Sequence, residues 1–257
     1  MVDARAPYSS KNPMINEITK NKPRLIVLTK KDMADDQYTK QWVQYYEKCG
    51  YQAMSVNLKN FNEYQKVIEK CRVVLKDKME KEKARGLKPR AIRAMVLGIP
   101  NVGKSTFINK LANRKATVTG NKPGVTKGQQ WLRLGNELEL LDTPGILWPK
   151  FEDEEIGKKL ALTGAIKDQL VHLDDLAIYG LDFFARYYSG RISDRYGLPI
   201  EQEEKLAPEL LMDITAKRGY KEDYDRGSEL VVHDIRQGKL GRYTLDRCEE
   251  MEQKSDE

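Results

Sequence analysis

The sequence predicts an α/β domain, a mostly parallel sheet flanked by helices, followed by a small all-α domain. Three observations predict it. Short apolar runs alternate with helix-period segments up to residue 142. A glycine-bearing loop joins one of those runs to a helix, and strand patterns become scarce beyond Phe151. The expected domains are residues 1–152 and 153–257.

Arg24-Leu25-Ile26-Val27-Leu28 reads as a buried strand entering the loop Thr29-Lys30-Lys31-Asp32. From about residue 38 to 49 the spacing is helical, with Trp42, Tyr45 and Tyr46 on one side and Gly50 closing it. Residues 51–56 read as a second strand. Residues 62 to about 85 read as one long basic helix, with Tyr64, Val67, Ile68, Cys71, Val74, Leu75 and Met79 near helical spacing, ended by Gly86 and Pro89. A third strand covers 91–97, and a helix runs from the loop after it to about residue 113. Two further strands fall near 130–134 and 138–141. Beyond Phe151, stretches near 153–165, 173–188, 200–218 and 226–237 carry helical spacing, broken by Gly190, Gly197-Leu198-Pro199 and Gly219.

Hydrophobic residues at 40% and charged residues at 33% suit a soluble globular chain. No apolar run approaches the roughly 20 residues that span a bilayer. The start, Met1-Val2-Asp3-Ala4-Arg5, lacks the layout of a signal peptide. Cys49, Cys71 and Cys248 have no CxxC spacing and read as reduced thiols, so a cytoplasmic protein is expected. Of 45 Lys+Arg and 39 Asp+Glu, residues 151–257 hold 16 and 25, leaving 29 and 14 for residues 1–150, balances of −9 and +15. The basic half suits nucleic acid, or is a solvated surface around a phosphate site.

Gly98-Ile99-Pro100-Asn101-Val102-Gly103-Lys104-Ser105-Thr106 fits G-x-x-x-x-G-K-[ST] between a predicted strand and a predicted helix. Glycines let backbone N–H groups wrap phosphates, and the helix start adds partial positive charge. Lys104 would bridge β- and γ-phosphate oxygens, and Ser105 would offer its hydroxyl to Mg²⁺. Asp142-Thr143-Pro144-Gly145 follows a strand about 40 residues later. There Asp142 can hold Mg²⁺ through water, and the Gly145 N–H can meet the γ-phosphate. Thr126, in Pro123-Gly124-Val125-Thr126, is the candidate switch threonine that reaches Mg²⁺ in the triphosphate state.

Guanine needs a carboxylate accepting from N1 and N2 and a lysine along the base. Thr29-Lys30-Lys31-Asp32 has the [NT]-K-x-D layout, giving Asp32 and Lys30 those roles. It precedes the phosphate loop by about 70 residues, where conventional G proteins place it last. Either the domain is a permuted GTPase or it is an ATPase with a decoy; the absence of a second [NT]-K-x-D after Asp142 favours the first.

These motifs, with Asp3-Ala4-Arg5-Ala6-Pro7 and the run DTPGILWPKFE from Asp142 to Glu152, resemble the circularly permuted ribosome-assembly GTPases over nearly the whole chain. The resemblance implies a circularly permuted P-loop GTPase domain that binds GTP and GDP with Mg²⁺. It implies a factor for the large ribosomal subunit, slow alone and stimulated by the subunit, whose C-terminal helices bind rRNA. A monomer is expected. The site implied comprises Thr29, Lys30, Lys31, Asp32, Asn57, Leu58, Asn101, Val102, Gly103, Lys104, Ser105, Thr106, Thr126 and Gly145. Asn57 and Leu58 enter as backbone contacts beside the guanine.

Three departures matter. Thr29 stands where Asn is usual, and its hydroxyl can still tie loops together. Ile146 stands where Ras-like proteins carry the water-orienting Gln, so hydrolysis must borrow a group. The family's upstream His segment has no counterpart before Met1-Val2, and neither His172 nor His233 matches it, so no catalytic group is assigned. By the resemblance, the strand leading into Asp3 is central, between the strand before the phosphate loop and the strand before TKKD. With so few residues before Asp3, that slot is expected to be empty and the chain to be a less stable, shortened form. Asn101 resembles the asparagine of K⁺-stimulated GTPases, where its carbonyl helps bind K⁺, or it orders the loop. The basic helix carries eleven Lys/Arg against four acids between Lys66 and Arg93, and suits either RNA phosphates or solvent.

Overall fold

In a computed structural model, which describes residues 1–19, 22–60, 62–87, 90–111, 130–134, 138–143, 147 and 153–249, the apolar runs of the first half form six strands. These are β1 (Val2–Asp3), β2 (Leu25–Thr29), β3 (Gln52–Ser55), β4 (Ile92–Val96), β5 (Gln130–Leu134) and β6 (Leu138–Asp142). They pair as two three-stranded sheets, ordered β1-β2-β3 and β4-β6-β5. β2 lies parallel to β1 and β3, and β4 parallel to β6, whereas β5 runs antiparallel to β6.

The first strand is present, which corrects the expectation of an empty slot. Val2 pairs with Leu28 and Asp3 with Thr29, and the Ala4 N–H donates to the Thr29 carbonyl at 2.9 Å. The Met1 amino group donates to the Leu97 carbonyl at 2.6 Å, just past β4. The strand is two residues long and takes its ladder from β2.

Period-two alternation decides what each face of β2 covers. Val27 joins a core with Val56, Val67, Ile92, Val96, Phe107, Ile108, Leu132, Leu138 and Leu140. Leu28, on the opposite face, joins Val2, Ala4, Ala34, Trp42, Tyr46, Ala53 and Cys248. The second core rests on α2 (Asp36–Lys48), preceded by α1 (Met14–Thr19). Asp35 starts α2 two residues earlier than its apolar pattern suggests, because its carboxylate accepts from the N–H groups of Gln37 (2.8 Å) and Tyr38 (3.3 Å).

The long basic helix is two helices, α3 (Asn62–Val74) and α4 (Lys76–Ala84), broken at Leu75 (φ −101°, ψ 4°). Its apolar stripe is the reason. Val67, Ile68, Cys71 and Leu75 pack on the first core, while α4 buries no residue and has no face to keep it in line.

The helical unit, residues 151–245, holds α6 (Glu154–Leu162), α7 (Leu173–Tyr187), α8 (Arg191–Tyr196), α9 (Ala207–Lys217) and α10 (Tyr224–Arg236), while α5 (Lys104–Leu111) follows β4 in the first unit. Leu160, Leu181, Phe184, Ile192, Ile214, Val231 and Ile235 form its core. Pro208 in the first turn starts α9 late, leaving Ile200–Glu204 as a 3₁₀ turn within the stretch read as one helix. The first unit comprises residues 1–150 and also 246–257, so the expected helical domain ends earlier than residue 257. Burial explains the return. The Asp246 carboxylate accepts from Tyr8 N (2.8 Å), Ser9 N (2.8 Å) and Ser9 Oγ (2.7 Å), and its carbonyl accepts from Trp42 Nε1 (3.1 Å). No helix among the described residues is long and apolar enough to cross a membrane.

Candidate nucleotide site

The chain turns from β4 into α5 through residues 97–103, and two left-handed residues make the turn, Asn101 (φ 56°) and Gly103 (φ 100°). A Cβ at Gly103 would also lie 2.7 Å from Leu58 Cδ1. Val102 is buried. Lys104, likewise buried, donates from Nζ to the carbonyls of Gly98 (3.1 Å) and Ile99 (2.8 Å), so the loop wraps its own lysine. Ser105, half-buried, and Thr106, exposed, follow in the first turn of α5, whose leading N–H groups have no helical acceptor.

Asp142 closes β6 in register with Val96, the last residue of β4. The Thr143 hydroxyl donates to the Val96 carbonyl at 2.7 Å, so the start of DTPG is fastened to the strand that feeds the loop. Thr126, Gly145 and Ile146 lie outside the described residues.

Thr29 joins the two motifs. Its buried hydroxyl lies 2.7 Å from the Val102 carbonyl and 3.0 Å from the Val2 carbonyl, sharing its proton between them across 73 residues of chain on the Val102 side. Lys30 takes a left-handed backbone (φ 56°), and its Nζ meets Asp3 Oδ2 at 3.0 Å. Asp3 is buried and also accepts from Arg5 Nε (3.0 Å), Nη2 (2.8 Å) and N (3.0 Å). Burial alone would raise the Asp3 carboxyl, but the Arg5 and Lys30 cations outweigh it and hold the group well below the usual carboxylate range. For Lys30 burial wins over the pull of Asp3, and its ammonium pKa is lowered. The Asp-Ala-Arg segment thus orients the first lysine of TKKD.

Two side chains passed over in the sequence fasten the remaining loop. Glu63, in the first turn of α3, accepts from the Asn57 N–H at 2.6 Å and lies 3.5 Å from Lys31 Nζ. Lys59 Nζ meets Asp32 Oδ2 at 2.7 Å, while its N–H donates to Asn57 Oδ1 at 2.8 Å. The signal for Glu63 is an acid at a helix start; nothing in the pattern marks Lys59. Lys59 thus links Asp32 to Asn57, and Leu58 packs against Gly103 of the phosphate loop. His172 precedes α7, and His233 lies within α10, its Nδ1 3.5 Å from Asp234 Oδ1. Among the described residues no group of three or more His, Cys, Asp or Glu could hold a metal ion.

A phosphate loop opening a helix, tied to a TKKD that comes earlier in the chain, defines a P-loop GTPase domain in circularly permuted order. The family model described as 50S ribosome-binding GTPase matches residues 93–206. The chain is 50% identical to ribosome biogenesis GTPase A of Bacillus cereus, covering 97% of this chain and 86% of that one. It is 49% identical to ribosome biogenesis GTPase A of Bacillus licheniformis, covering 98% and 90%. The GDP-bound structure of YlqF from T. maritima superposes with a TM-score of 0.70 at 27% identity, covering 96% of this chain and 92% of that one. The chain belongs to the ribosome biogenesis GTPase A family, and its reaction is the hydrolysis of GTP.

Proposed function

We propose that the chain is a GTP-dependent assembly factor for the large ribosomal subunit that docks through rRNA. GTP orders the loops around Thr126 and Gly145, and the ordered form engages the pre-ribosomal particle. In this reading Asp32 accepts from guanine N1–H and N2–H₂, Lys30 packs along the base, and the Asn57 and Leu58 backbone flanks it. Lys31 supports that edge through Glu63. The amides of residues 101–106 cradle the phosphates, and Lys104 exchanges the Gly98 and Ile99 carbonyls for phosphate oxygens. The observation that supports this most directly is the Thr29–Val102 bond of 2.7 Å, which ties the end of TKKD's strand to the loop.

Mg²⁺ fits the donors at hand. Ser105 lies in the first turn of α5, and Asp142 ends the strand beside the loop's own strand; a hydroxyl and a carboxylate are the hard donors that Mg²⁺ takes. Thr126 would complete that set, and the Asn101 amide oxygen would serve K⁺. When bound, Mg²⁺ neutralises phosphate charge. The protein residues bind, orient and enclose the nucleotide. Hydrolysis is slow in isolation, because Ile146 cannot orient water, and it rises on the subunit. The rRNA contacts fall on α4 and on the helical unit.

The test begins with Asp32→Asn, which swaps an acceptor for a partial donor. GTP affinity should drop by roughly 1–3 kcal/mol while xanthosine triphosphate binding improves. Unchanged GTP affinity would sink the guanine assignment. Cosedimentation with large subunits should require GTP, and equal cosedimentation with GDP would remove the switch.

A further inference from the structure

The helical unit carries a second cluster of fixed cations. α10 ends at Arg236, and two left-handed glycines, Gly238 (φ 70°) and Gly241 (φ 86°), turn the chain sharply after it. The turn brings Lys239 back onto Asp234, whose carboxylate is fully buried, with Nζ 3.0 Å from Oδ1. From α8, Arg195 reaches Oδ2 with Nε at 2.8 Å and Nη2 at 2.7 Å. Arg191, one turn earlier, donates from Nη1 to the carbonyls of Leu240 (3.4 Å) and Arg242, and lies 4.2 Å over the Tyr188 ring. A Cβ at Gly241 would sit 3.1 Å from Arg191 Nη1, so the glycine admits the guanidinium. Arg191, Arg195 and Lys239 border one open cavity of about 470 Å³, with Asp194, Leu240 and Gly241.

Stapling α8 to α10 explains part of this. A buried carboxylate needs a cation, and Arg195 supplies one. It does not explain Arg191, whose guanidinium pairs with no carboxylate among the described residues, nor a third cation at the same mouth. Composition does not explain it either, since residues 151–257 carry 25 Asp+Glu against 16 Lys+Arg. The backbone carbonyls, Asp234 and Tyr188 hold these cations in place, so little side-chain entropy remains to be lost on binding.

We propose that this cavity binds phosphodiester groups of RNA, with Arg191 and Lys239 as the phosphate contacts and Arg195 as the anchor that positions them through Asp234. A cavity open to solvent suits a continuous strand passing across it, and the guanidinium fork suits phosphate oxygens. The assignment rests on the RNA-docking reading above and names its contacts in the helical unit.

The test titrates rRNA extracted from large ribosomal subunits into the full chain over a salt series. It compares wild type, Arg191→Gln with Lys239→Gln, and the charge-retaining pair Arg191→Lys with Lys239→Arg. Arg195 is left in place because it holds Asp234. The glutamine pair should bind several-fold more weakly, with a log–log salt slope shallower by about 1.4–1.8, roughly 0.7–0.9 per lost phosphate contact. The charge-retaining pair should keep the wild-type salt slope, with GTP affinity unchanged in both. An unchanged slope in the glutamine pair, or equal loss in the charge-retaining pair, overturns this site and leaves RNA docking standing. Wild type that fails to bind rRNA overturns both.

Discussion

Asp3 and Lys59 show how single residues act on TKKD from outside it. Asp3 pairs with both Arg5 and Lys30 in a buried setting, so Asp3→Asn leaves the Arg5 guanidinium buried beside a neutral amide. Breaking such a pair should cost about 3–5 kcal/mol, seen as a lower denaturant midpoint. The folded carboxyl is depressed, so its stabilisation is full above the unfolded value of about 3.9 and fades as pH falls below it. The gap between wild type and variant should therefore close below about pH 4; a constant gap would mean that packing, not charge, carries Asp3. Lys59 is different, because its side chain is 80% exposed and its ammonium sits on Asp32. If Asp32 accepts from guanine, the two compete. An exposed pair is worth about 0.2–1 kcal/mol, so Lys59→Met should tighten GTP binding by roughly 1.5- to 5-fold. Weaker binding in the titration would make Lys59 a contact to the nucleotide instead of a rival for Asp32.

Among the elements, α3 and α4 divide what reads in sequence as one helix. Burial stops at Leu75, and Met79, which continues the spacing, is exposed. Val67→Ala in α3 should cost about 1–3 kcal/mol by opening the core shared with Val27 and Phe107. Reversing Lys78, Lys81 and Arg85 in and just after α4 should leave stability within about 0.5 kcal/mol. The same triple reversal should flatten the salt dependence of subunit binding. An unchanged slope would make α4 a solvated face and nothing more. The break itself was legible only in part. The charged run after Leu75 shows in the sequence, but a single residue leaving helical geometry depends on what α3 packs against.

For the molecule as a whole, the chain passes from the first unit into the helical unit and back again, so the first unit is closed by residues from the far end. Asp246→Ala would strip acceptors from the N–H groups of Tyr8 and Ser9 and from the Ser9 hydroxyl, all at 2.8 Å or less. The first unit should lose about 2–4 kcal/mol, with faster amide exchange at Tyr8 and Ser9, while exchange in α7 and α10 stays as it was. Uniformly faster exchange would mean that the two units unfold as one. The sequence by itself determined the α/β class, the P-loop GTPase family with its motifs in permuted order, and a helical second unit. Each of these is local: a strand period, a left-handed glycine position, a lysine at a helix start, an acid at a strand end. Tertiary structure alone decided the Asp3–Lys30 pair, the Glu63 and Lys59 fastenings, the Arg191–Arg195–Lys239 cavity and the return of Asp246. These depend on which side chains meet across tens to hundreds of residues, and ion pairs and buried hydrogen bonds leave no periodic trace in the chain because their partners are chosen by the fold.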